Sequence, residues 1–148
     1  MASFAPDLLP AASAQTVASP RGTVRIWHPA PTVFVSQVEG SLTEQGARAL
    51  CVAGRRIIAS DERLIVFQDW EGATDYERGA RLELTRMALD LRKSVDASYF
   101  LLRARILALG VQLANVVLGN LKVLPSRAAM EELLRATLQT RGTGRPRD

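Results

Sequence analysis

The 148-residue sequence has one cysteine, Cys51, and one histidine, His28. An internal disulfide is excluded, as is any metal site that needs two Cys or His ligands, ordinary zinc sites among them. No metal and no cofactor is expected, and a reducing, cytoplasmic setting fits. Aromatic residues make up only 5%, and lysine occurs only at Lys93 and Lys122. A nucleic-acid-binding chain would more often show a basic stripe with interleaved aromatics, so no specific nucleic-acid partner is expected. The net charge of +4 does not alter this, because residues 22–140 hold 15 basic and 13 acidic residues and the tail RGTGRPRD (141–148) supplies much of the surplus. No apolar run approaches the roughly 18 residues of a transmembrane helix. The phosphate-binding patterns GxxxxGK and GxGxxG are absent as well.

Hydrophobic residues make up 47% of the chain, which suits one domain with a real core. Residues 1–21 lack the early positive charge of a secretory signal and are broken by Pro6, Pro10 and Pro20. They are read as a disordered arm, and residues 141–148 as a flexible basic tail. Between them the pattern alternates. TVRIWH and TVFVSQV flank Pro29-Ala30-Pro31 and read as a hairpin. Ser41 and Glu44 form a capping box ahead of a helix with Ala47, Leu50, Cys51, Gly54, Ile57 and Ile58 on one face, ending near residues 60–62. LIVF (64–67) has the continuous apolar run of a central strand covered on both faces. Thr74 and Glu77 form a second capping box, opening a helix of about twenty residues with Ala80, Leu84, Met87, Ala88, Leu91 and Val95 inward. SYFLL (98–102) is a further strand. It leads into an apolar helix, 104–118, stopped by Gly119-Asn120. A short strand, LKVL, precedes a last helix from Pro125-Ser126 to Leu138, with Ala129, Met130, Leu133, Leu134 and Thr137 inward. The order β-β-α-β-α-β-α-β-α predicts an α/β fold with a mostly parallel central sheet, an N-terminal hairpin and about four helices.

The segments VFVSQVEGSLT, LIVFQDW, TDYERGAR and SYFLL, in this order, resemble the STAS domain, and in particular its divergent SpoIIAA-like branch. The resemblance covers residues 22–138, nearly the whole domain at 22–140. It implies a non-enzymatic module that binds protein partners or, in some members, nucleotides or lipids. It also implies a switch Ser or Thr near residues 69–74. Thr74 is the only hydroxyl there, and Asp69, Glu71, Asp75 and Glu77 surround it with negative charge, so it is a candidate phosphosite of low rank.

Asp69 at a strand end could be a phosphoacceptor or ligand, because parallel sheets bind there. Receiver-like chemistry needs further acids and a suitably placed lysine, so a structural or partner-contact role is the better reading. His28, between Trp27 and Pro29, reads as a surface histidine, and Cys51 as a core thiol. Gly72 reads as a turn glycine. Within helix 104–118, residues 106–118 are apolar almost all round, interrupted only by Gln112 and Asn115, and a helix packed on one side of a sheet needs only a stripe. A covered outer face is therefore expected. Leu109, Gln112, Leu113 and Val116 are the candidate contacts for a protein partner or second copy, with Asp69 and Trp70 as a neighbouring rim. Peripheral lipid contact fits the same helix. The expected function is a non-catalytic regulatory or interaction module of bacterial type, with a small-ligand or lipid carrier as the alternative.

Overall fold

The structure is a computed structural model, and it describes residues 4–57 and 63–141, with the side chains of Val116 and Val117 outside the description. The predicted end of the first helix at 60–62, the inward placement of Ile58, and all of the tail beyond Arg141 fall outside the described residues. Seven strands form one sheet: β1 (Gln15–Ala18), β2 (Gly22–Ala30), β3 (Val33–Leu42), β4 (Leu64–Trp70), β5 (Ala73–Tyr76), β6 (Val95–Leu102) and β7 (Leu121–Val123). The helices are α1 (Glu44–Ile57), α2 (Arg78–Leu91), α3 (Arg105–Leu118) and α4 (Arg127–Arg141).

The sheet order is β1-β2-β3-β4-β6-β7, with β5 beside β3 beyond the end of β4. β1–β2 and β2–β3 are antiparallel, and the remaining pairs are parallel. The α/β class is as expected, but the sheet is mixed rather than mostly parallel. The extra antiparallel pair comes from β1, inside the segment expected to be disordered. Prolines there prevent a helix but not docking. Phe4 and Leu9 are buried with Trp27, Met130 and Leu134, the Trp27 indole N–H donates to the Pro10 carbonyl at 3.0 Å, and QTVA covers the β2 edge that would otherwise lie open.

The alternation of side chains across the strands separates two cores. Val24, Phe34, Val38, Val66, Trp70 and Phe100 face α1, α2 and α3, while Val33, Val35, Phe67 and Leu101 face α4 and the N-terminal segment. This placement follows from connectivity, since three successive right-handed crossovers along one direction of the sheet put their helices on one face. LIVF lies at the centre as expected, with β3 on one side and β6 on the other.

Both predicted capping boxes are replaced. Thr43, not Ser41, caps α1, its Oγ1 accepting from the Gly46 N–H at 3.0 Å, and Ser41 is part of β3. The carboxylate of Glu77 accepts the Glu44 N–H at 2.8 Å and so caps α1 across the fold rather than serving its own helix through Thr74. Thr74 is exposed on β5, which continues the line of β4 after a turn at Glu71 and Gly72 and pairs with Gly40, Ser41 and Leu42. The helix accordingly starts at Arg78 and spans 14 residues, because Val95 already belongs to β6. α3 stops where expected. Gly119 adopts φ 74° and donates its N–H to the Asn115 carbonyl at 2.8 Å, a left-handed cap that glycine enters without steric cost.

Candidate functional site

Two polar pairs interrupt the apolar centre of the sheet. Ser36 faces Gln68 and Gln37 faces Asp69 across β3 and β4, all four buried. The pairs point to opposite faces. On the three-helix side, Ser36 Oγ donates to Gln68 Oε1, and the Trp70 indole N–H donates to Ser36 Oγ at 3.3 Å. On the α4 side, Gln37 Nε2 donates to Asp69 Oδ2 at 2.9 Å. Arg127, in the first turn of α4, approaches the same carboxylate at 2.7 and 2.9 Å. Burial works against the Arg127 charge, but the hydrogen bond and charge of Asp69, with Glu71 and Glu131, outweigh it and hold the guanidinium above its ordinary pKa. The pair borders a polar recess of about 220 Å³ at the strand ends, which Gln37, Glu39, Glu71 and Arg103 also line.

The larger opening lies on the other face, between α2 and α3. It is an apolar cleft of about 500 Å³, within the range of about 300–1,000 Å³ of small-molecule sites. Phe34, Val66, Trp70 and Phe100 form its floor, and Leu84, Met87, Leu107 and Val111 its walls. Sequence accounts for the gap: α2 buries only Ala80 fully, and where the helices pass each other they carry Ala88, Gly110 and Ala114. A Cβ added at Gly110 would meet nothing within 4 Å. Close-packed interiors leave few voids larger than a water molecule, so this opening is a departure from ordinary packing. Gln68 supplies a polar group at the floor.

The expected site residues divide. Leu109, Gln112 and Leu113 are exposed on α3 together with Ile106, while the Val116 side chain is outside the description. Leu113 also lines the cleft. Asp69 and Trp70 are 1% and 7% exposed, and this corrects their reading as a rim. Asp69 is consumed by Arg127 and Gln37, and Trp70 by Ser36 and an edge-on contact with Phe100 at 5.3 Å. Thr74, the candidate phosphosite, is exposed on β5 and caps no helix. His28 is exposed, its Nε2 3.1 Å from the Pro31 carbonyl oxygen in the hairpin turn. Cys51 is buried, and burial pushes its thiol up. Among the described residues no three His, Cys, Asp or Glu side chains gather as metal ligands, and no helix is long and apolar enough to cross a membrane. Sequence reading missed Arg127, Gln68 and Ser36. The signal was present: SQ and QD each break an otherwise apolar strand.

The sequence matches no family model and no curated protein. Among solved structures, the chain is similar to an uncharacterized protein from the DUF3478 family with a SpoIIAA-like fold, from Shewanella loihica PV-4. The identity is 11%, the match covers 82% of this chain and 91% of that one, and the TM-score is 0.58. The fold is therefore SpoIIAA-like, that is, STAS-like, as the resemblance implied.

Proposed function

We propose that the protein is a non-catalytic STAS-like binding module that holds a small apolar or amphipathic molecule in the cleft between α2 and α3. One observation carries this reading: a cleft of about 500 Å³ with a mainly apolar lining opens between α2 and α3 of a small domain. Ordinary packing would close it. Native mass spectrometry of the purified protein before and after solvent extraction tests the reading. It expects adducts of discrete mass that extraction removes and that rebinding restores. A bare chain that takes up no apolar probe contradicts it.

The partner-binding reading has its own support in the outward face of α3. Ile106, Leu109 and Leu113 are 54%, 56% and 57% exposed and follow at i, i+3 and i+7, a contiguous stripe of the kind that docks a protein or a second copy. Light scattering on the wild type and Leu109→Glu separates the two readings. A dimer that the substitution dissociates favours docking, and a monomer in both leaves the ligand cleft as the working surface. A cytoplasmic, regulatory setting belongs to either reading and rests on the unpaired cysteine and the fold.

A further inference from the structure

We infer that the cleft's occupant is a single-chain fatty carboxylate whose head group is held by Arg81 at the N-terminal end of α2. This deepens the ligand-binding reading and rests on it. The cleft is apolar along its walls, but two arginines line it, Arg81 and Arg92. Both are exposed, and among the described residues neither forms an ion pair. Of the other arginines, Arg48 pairs with Glu44 and Glu83, Arg55 with Asp90 and Arg21 with Glu77, while Arg78, Arg86 and Arg105, which form no ion pair among the described residues, do not line the cleft. A cation bordering an apolar cleft without a protein counter-charge complements an anion attached to a hydrocarbon.

The two arginines differ in setting. Arg92 follows the last residue of α2, where the carbonyl end of the helix dipole disfavours an anion and is itself complemented by a cation. Arg81 lies in the second turn from the N-terminus, the end that favours negative charge. α2 also begins beyond the carboxyl ends of the parallel strands β4 and β5, whose last residues Trp70 and Tyr76 line the same cleft, and that end of a parallel sheet is where α/β folds receive ligands. The chain of the ligand then runs down the cleft toward Arg92, about 16 Å along the helix direction. Taking a methylene as similar in size to a water, about 30 Å³, the cleft of about 500 Å³ accommodates on the order of fifteen such groups. That is the size of one alkyl chain.

Calorimetric titration of the solvent-extracted full chain with dodecanoate and with its methyl ester tests this, using wild type, Arg81→Gln and Arg92→Gln. Circular dichroism confirms that each variant is folded, as expected for exposed positions. The expected result is 1:1 binding of dodecanoate at least tenfold tighter than the ester. Arg81→Gln should abolish that preference with the ester affinity unchanged, and Arg92→Gln should shift dodecanoate by less than twofold. Equal affinities for acid and ester in the wild type overturn the carboxylate assignment and leave the apolar cleft standing. A larger loss in Arg92→Gln than in Arg81→Gln overturns the assigned orientation. Failure of both ligands to bind the wild type removes the ligand-binding reading together with this one.

Discussion

Arg127 Nη1 lies 2.7 Å from Asp69 Oδ2, and the two side chains are 17% and 1% exposed. This pair ties the first turn of α4 to the end of the central strand β4, and it turns a candidate reactive carboxylate into a structural one. Removing one member of a buried pair strands the other, at a cost of about 3–5 kcal/mol. Arg127→Ala is expected to lower unfolding stability by that amount in urea titration. The double variant Asp69→Asn with Arg127→Met should recover more than half of the loss, because no unpaired charge remains. A loss below about 1 kcal/mol in Arg127→Ala contradicts the structural role.

The N-terminal segment is part of the fold, and Phe4 is its anchor. Its ring meets Trp27 edge-on at 5.8 Å and lies 5.3 Å from the Arg127 guanidinium carbon. Phe4→Ala is expected to cost about 3 kcal/mol, with a change in indole fluorescence that reports the exposure of Trp27. Unchanged stability would contradict the docking of this segment.

The same segment carries a pH-sensitive contact. Arg135, through its hydrogen bond at 3.1 Å and its charge, holds the Asp7 carboxyl below its ordinary value. A carboxyl with a folded pKa below its unfolded one contributes its contact at pH above about 4 and loses it as pH falls through the depressed value. An acid-side fluorescence change from Trp27, present in the wild type and missing in Asp7→Asn, is the expected signature. Identical acid profiles would count against the contact.

Gly22 and Gly40 pair across β2 and β3. Gly40 has φ +74°, and a Cβ there would stand 2.6 Å from the Arg21 carbonyl oxygen. A side chain at this position meets both a left-handed backbone and a main-chain atom that cannot swing aside. Gly40→Ala is expected to cost about 1–3 kcal/mol, measured as a lower urea midpoint. A change within about 0.5 kcal/mol would show that this register is more tolerant than the contact implies.

The elements most legible in the sequence are those whose signal is local. Ala47, Leu50, Cys51 and Gly54 repeat at helical spacing and are all buried on α1, and Gly119 stops α3 where its left-handed cap requires. The errors arose where a local signal was satisfied from afar. Thr74-x-x-Glu77 has the residues of a capping box, yet Glu77 serves α1, and Thr74 is drawn into β5 by the open edge of β3. β1 carries only QTVA, too little to register against its prolines, and its strand character comes from the β2 edge it covers. The apolar excess of helix 104–118 predicts a covered outer face. Part of it, Leu107 and Val111, instead lines a cleft, Leu113 borders both the cleft and the outer face, and Ile106 and Leu109 remain outward. No sequence period reports the distance between two helices, so the cleft itself was not legible.

Gly110 offers a sharp test of the ligand cleft, because it lines the opening and a Cβ there would meet nothing within 4 Å, which leaves room for a larger side chain to take up cleft volume. Gly110→Leu should raise stability by about 1 kcal/mol from helix propensity alone, so loss of binding in it cannot be ascribed to unfolding. The decisive measurement is a fluorescence titration of a neutral apolar dye into extracted wild type and Gly110→Leu. Saturable 1:1 uptake by the wild type, at least tenfold weaker in the variant, is the result expected of a ligand cleft between α2 and α3. Equal uptake by both proteins, or none by the wild type, would contradict it.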